Sequence, residues 1–184
     1  MYFTTALVVA LAGASYAAPS ENKPRQQQVS ASDPNFLSLI PEFGVQAGVN
    51  PTGTGNCDGF NAIANKVVPI QCDKCPPPRD DFVNKLASDL TAGNVFGSPV
   101  TFNTDPSVQD EQTNKDRATA CLITLQSFYG QKGVGCPAVA APNFAKQQVT
   151  GIRDDQQFIP QAGSASGSAS AASASQAARK RRDF

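Results

Sequence analysis

The chain has no histidine, no tryptophan and no apolar run of membrane-spanning length. Without histidine, Ser-His-Asp and Cys-His nucleophiles cannot be assembled, and a mixed Cys/His zinc site cannot be completed. The usual side chain for moving a proton near neutral pH is missing too. With no tryptophan and three tyrosines, the stacking surfaces of many sugar-binding sites are scarce. The one Asn-x-Thr triplet, Asn50-Pro51-Thr52, carries proline in the excluded slot, so N-glycosylation is not expected.

What is present begins with a leader. Residues 6–14 are uninterruptedly apolar or small, and Ser15-Tyr16-Ala17 places small residues before a cleavage point after Ala17. That is the grammar of a secretory signal peptide over residues 1–17. The run is too short for a membrane anchor, which needs ~20 apolar residues. The expected destination is therefore extracellular: secreted, with the cell wall as one possible residence.

Basic and acidic side chains balance at 15 each, but Arg179-Lys180-Arg181-Arg182 holds four of the basic ones. The rest of the chain is mildly acidic, which is no footprint of nucleic-acid binding. At an exposed chain end, Lys180, Arg181 and Arg182 read as a dibasic processing site. Residues 18–35 are polar and Gln-rich, expected to be disordered or a pro-segment. Residues 36–160 hold the apolar side chains and all five cysteines, the content of one compact stapled domain. Residues 161–184 form a Ser/Ala/Gly-rich tail, either a plain spacer or a stalk for O-linked sugars.

Two helices stand out. Phe82, Val83, Leu86 and Leu90 share one face of a helix that Asp80 caps and Gly93 ends. A second starts at Asp105 and Pro106, carries Val108, Ala118, Cys121, Leu122, Leu125 and Phe128 as its stripe, and stops at Gly130. Asp116 and Arg117 read as its solvated face. Residues 95–102 and 66–70 read as extended, the latter at an edge because of Pro69. The fold class expected is mainly α, with irregular and short extended segments and flexible termini.

The cysteines are Cys57, Cys72, Cys75, Cys121 and Cys136. Five allow at most two internal bridges, leaving one thiol free or paired with another molecule. Cys121 with Cys136 is the favoured pair, since Gly133 and Gly135 let the chain fold back onto the helix. Cys57 then pairs with Cys72 or Cys75. A long-range alternative ties Cys72 or Cys75 to the second helix, closing a larger loop. Cys72-Asp73-Lys74-Cys75 has redox spacing, but Pro76-Pro77-Pro78 oppose the helix start that would activate its thiol. Nor do the cysteines repeat the spacing of an all-Cys zinc site. No metal, cofactor or catalytic residue is assigned.

What remains for catalysis is mainly carboxylate chemistry: Glu42 and Asp58, isolated, and the adjacent pairs Asp80-Asp81 and Asp154-Asp155. A carboxylate hydrolase needs two of them to converge in a cleft. A binding role could use residues 93–104 if Phe96 and Phe102 formed an apolar patch, against the simpler reading that both are core.

Gly48-Val49-Asn50-Pro51, Asn56-Cys57-Asp58-Gly59, Ile70-Gln71-Cys72 with Cys75-Pro76-Pro77, and Phe96-Gly97-Ser98-Pro99-Val100 form an ordered set. Arg117-Ala118-Thr119-Ala120-Cys121 and Gly133-Val134-Gly135-Cys136-Pro137 complete it. In this set the chain resembles small secreted cysteine-containing fungal proteins of uncharacterised function. The resemblance implies compartment and fold and carries no activity. The resulting expectation is a non-catalytic secreted protein with a structural or interaction role at the cell surface or wall, or released. Its partners would be cell-wall or host-surface components, without nucleic acid or a membrane span. The alternative is a carboxylate-based extracellular hydrolase.

Overall fold

The computed structural model describes residues 28–159. The cleavage point at Ala17, most of the 18–35 segment and the tail with Lys180, Arg181 and Arg182 lie outside them.

Helix α1 (Pro34–Ser38) starts where the Asp33 carboxylate accepts the Asn35 amide at 2.9 Å, with Pro34 in the first turn. Strands β1 (Asn56–Asn61) and β2 (Lys66–Gln71) pair antiparallel, Cys57 opposite Ile70 and Asn61 opposite Lys66. The Asn61 side chain closes their turn by accepting the amides of Ile63 and Ala64. Helix α2 (Arg79–Ala92) ends at Gly93, whose φ of 71° suits a left-handed cap. Strands β3 (Asn94–Val95) and β4 (Ser98–Pro99) form a tight hairpin. Helices α3 (Glu111–Gln126) and α4 (Pro142–Thr150) follow, with a 3-10 turn at Ala138–Ala140 between them.

Mainly α is therefore corrected. The described residues are a small α/β mixture, about 36% helical and about 14% strand. The strand missed by the sequence reading is β1, Asn-Cys-Asp-Gly-Phe-Asn, whose residues have weak strand preference. Its pairing is set by tertiary partners. Gly59 lies so close to Ile70 and the Val139 carbonyl that a Cβ there would collide with both.

The core sits where α2, α3 and α4 meet. Phe82, Val83, Leu86 and Leu90 of α2 are buried, as the stripe predicts. Phe43, Phe82 and Phe144 form a triangle of rings with centroids 5.3–5.5 Å apart. Asp89 of α2, buried, takes the Lys85 ammonium and the Thr124 hydroxyl of α3 (2.9 Å). A satellite cluster of Val45, Val49 and Ile159 packs beside the stacked rings of Phe60 and Phe158.

Helix starts differ from expectation. The cap of α2 is Pro78, and Asp80 lies inside the first turn. The cap of α3 is Asp110, which accepts the Thr113 amide at 2.9 Å, five residues beyond Asp105. Asp105 and Pro106 instead build a turn in which Asp105 accepts the Ser107 amide and hydroxyl. That turn is held from inside by Arg117, which is 1% exposed and so is not on a solvated face. Its guanidinium donates to the carbonyls of Asn103, Asp105 and Val108 and to the Asn114 side chain, each at 2.8 Å. Phe102 is also core, 2% exposed and edge-on to Phe36, whereas Phe96 is 44% exposed at the β3–β4 turn. The two do not make a patch.

Candidate functional site

The disulfides build the site. Cys57 bonds to Cys72, because the β1–β2 ribbon brings the two together at its open end (Cα–Cα 4.8 Å). Cys75 bonds to Cys136, closing a 61-residue separation. Cys121 is free and buried. The favoured Cys121–Cys136 pair is thus corrected. Gly135 passes tightly over the end of α3, and a Cβ there would run into the Leu125 carbonyl. The Cys136 amide docks on that same carbonyl at 2.9 Å. Cys136 is therefore level with Leu125, about 6 Å along the helix axis past Cys121, and its sulfur turns toward residues 74–75. The long-range bridge runs to the loop after α3 and leaves the helix itself unbridged.

Burial pushes the Cys121 thiol up from 9.0 to about 12, the Arg79 charge pulling weakly the other way. We expect native protein at pH 8 to resist iodoacetamide at Cys121 and to take up one label once unfolded. Labelling of the folded chain at a free-thiol rate would contradict the burial. The sign of the pH effect follows from the raised value. The neutral thiol is favoured in the fold, so its contribution is complete below pH 9 and is lost as the pH rises toward 12. Denaturant midpoints should accordingly fall more steeply from pH 9 to 11 in the parent than in Cys121→Ala.

The Cys75–Cys136 bridge holds one wall of an open groove of about 680 Å³. That wall is residues 73–79, with Phe128 and Tyr129 beside it, and the Tyr129 hydroxyl donates to the Lys74 carbonyl. Burial, and behind it the Asp73 charge, raises the Tyr129 pKa. The facing wall is residues 42–47, backed by Asp155 and Gln157. Arg79 joins the walls, its guanidinium donating to the carbonyls of Pro41 (2.6 Å) and Ile40 (2.7 Å). It also lies 5.3 Å over the Phe43 ring and 3.9 Å from Glu42. Burial lowers its pKa. The Asp155 carboxylate accepts the Glu42 amide at 2.8 Å and pairs with Arg153 at 2.9 Å. The Phe158 amide donates to the Gly44 carbonyl at 2.8 Å. With φ at +87° and the Asn143 side chain, the Gln156 carbonyl and Phe158 against it, position 44 accepts only glycine without strain.

The carboxylates singled out in the sequence separate. Glu42, Asp81 and Asp155 line the groove, joined by Asp73, which sequence reasoning did not select. Asp80 lines a smaller hollow with Ser30, Ser32 and Asn84. Asp58 accepts the Asn50 amide group at 2.8 Å. Asp154 pairs with Lys146 at 2.5 Å. Asp81 and Asp155 do share a cleft. Asp155, however, engages one carboxylate oxygen with the Glu42 amide and the other with Arg153, an arrangement that positions the segment after α4. Asp73 and Asp81 have no ion-pair partner among the described residues.

The groove thus presents apolar surface from Pro78, Phe128 and Tyr129 beside the buried Pro76 and Pro77, edged by four carboxylates against Lys74 and Arg79. Among the described residues no group of His, Cys, Asp or Glu is placed to hold a metal, and no helix is long and apolar enough to cross a membrane. The two disulfides are consistent with an extracellular protein. No family model matches the chain, and neither does any curated protein or solved structure.

Proposed function

We propose that the chain is a non-catalytic secreted protein that acts at the cell surface or wall, or after release, by binding an extended basic peptide segment of an extracellular partner. The observation that carries this reading is the groove itself, where Pro78, Phe128 and Tyr129 lie with Asp73 and Asp81, two carboxylates that have no ion-pair partner among the described residues. Prolines and aromatic rings present apolar surface with little conformational freedom left to lose on binding. The carboxylates select cationic side chains and steer their approach. The leader and the stapled body support the compartment, and so does the resemblance to small secreted fungal proteins. The hydrolase alternative is weaker because, of the candidates that share the groove with Asp81, Asp155 has both oxygens engaged and Glu42 is paired with Arg79.

The test uses the full chain carrying Arg179→Ala, Lys180→Ala, Arg181→Ala and Arg182→Ala, so that its own basic cluster does not compete. A fluorescein-labelled peptide of alternating arginine and lysine should bind, and an all-glutamate peptide should not. Adding Asp81→Asn should weaken binding about threefold, as for an exposed charge pair, while Asp116→Asn on the outer face of α3 should not. Equal affinity for acidic and basic peptides would overturn the reading.

A further inference from the structure

We propose that the groove's occupant in the intact chain is the chain's own basic cluster, Arg179-Lys180-Arg181-Arg182, docked in cis. The inference rests on the peptide-binding reading above. Three observations carry it. The first is charge. Between residues 28 and 159 there are nine basic and thirteen acidic side chains, a net charge of −4, and the cluster carries +4. Within the groove the lining includes four acidic side chains against Lys74 and Arg79. Arg79 is already committed to the Ile40 and Pro41 carbonyls and to Glu42.

The second is position. The described chain leaves at Ile159, two residues after Gln157 and four after Asp155, both of which line the groove. Ile159 itself is buried against Val45 and Val49, and Val45 is another lining residue. The tail therefore starts at the groove's edge. The third is reach. Nineteen residues lie between Ile159 and Arg179, enough to span at most about 70 Å and to return to the starting point without strain. Such a tether gives an effective concentration on the order of millimolar, so a cluster with modest intrinsic affinity outcompetes a dilute ligand. The other basic segment outside the described residues is a poorer occupant. Lys23 and Arg25 are offset by Glu21. The described chain enters beside the smaller Asp80 hollow, where Ser30 and Ser32 sit.

Two measurements on the full chain test this. In amide correlation spectra without any added ligand, the parent and the four-alanine variant should differ at Asp73, Lys74, Asp81, Tyr129 and Asp155. The labelled arginine–lysine peptide should bind the parent about tenfold more weakly than the variant, and 0.5 M salt should narrow that gap. Spectra that superimpose at the groove, with equal peptide affinity, overturn docking in cis while the groove remains a basic-peptide site. Failure of the peptide to bind the four-alanine variant overturns both. Spectral differences confined to the Asp80 hollow would place the cluster elsewhere and overturn the assignment.

Discussion

Cys75→Ser with Cys136→Ser should remove about 4 kcal/mol of stability and most of the groove's affinity for basic peptide. The energy follows from chain statistics. The bridge spans a sequence separation of 61, and a closed loop of that size restricts the unfolded chain by about 4 kcal/mol. The loss of affinity follows from position, because Cys75 lies directly between Lys74 and Pro76 on the groove wall. Without the bridge, that wall keeps the Tyr129 hydroxyl on the Lys74 carbonyl as its direct hydrogen bond to the chain just after α3 among the described residues. Cys57→Ser with Cys72→Ser is the comparison. Its separation is 15 and neither cysteine lines the groove, so with the Cys75–Cys136 bridge still holding the wall the cost should be about 3 kcal/mol with most peptide affinity retained. Urea melts and peptide titrations of both variants check this. A Cys75/Cys136 variant as stable as the parent would show that the bridge restrains nothing.

Arg117→Met should cost about 3 kcal/mol. Three backbone carbonyls, those of Asn103, Asp105 and Val108, lose their donor, at about 1 kcal/mol each. Burial, opposed by the Asp110 and Asp105 charges, lowers the pKa of this guanidinium. Methionine recovers part of the apolar packing but none of the hydrogen bonds. Arg117→Lys should rescue little, since one ammonium cannot match the planar fork that reaches acceptors on three sides. Lys115→Met, two residues away with its ammonium on Glu111 at 2.5 Å at the surface, should change stability by less than about 0.5 kcal/mol. Amide exchange across residues 103–110 should accelerate in the Arg117 variants alone. If it does not, the guanidinium does not organise that turn.

Arg117 also shows where the sequence was legible and where it was not. The stripe of α3 was read correctly at Ala118, Cys121, Leu122 and Leu125, all buried. Arg117 lies four residues before Cys121 and beside Ala118, on the same stripe, so a periodicity reading that ignored its charge would have placed it inside. Its acceptors come from a loop that begins fourteen residues earlier, and no local pattern announces them. The body of α2 was legible for the same reason its stripe was: four apolar residues at helical spacing. The β1 strand was not, because its residues favour turns and its extension is imposed by tertiary partners, chiefly β2 and the 3-10 turn. The groove was the least legible feature. Glu42, Asp73, Asp81 and Asp155 are spread over more than a hundred residues. What brings them together is a bridge to a loop beyond α3, the half-buried Arg79 guanidinium and the Asp155 carboxylate on the Glu42 amide.

The most direct test of the central claim is to map the labelled arginine–lysine peptide onto the amide spectrum of the four-alanine chain. Saturable shifts should centre on Asp73, Lys74, Asp81 and Tyr129, weaken with salt and disappear with Cys75→Ser and Cys136→Ser. Shifts centred on the β1–β2 ribbon or the Asp80 hollow, with the groove silent, would contradict it.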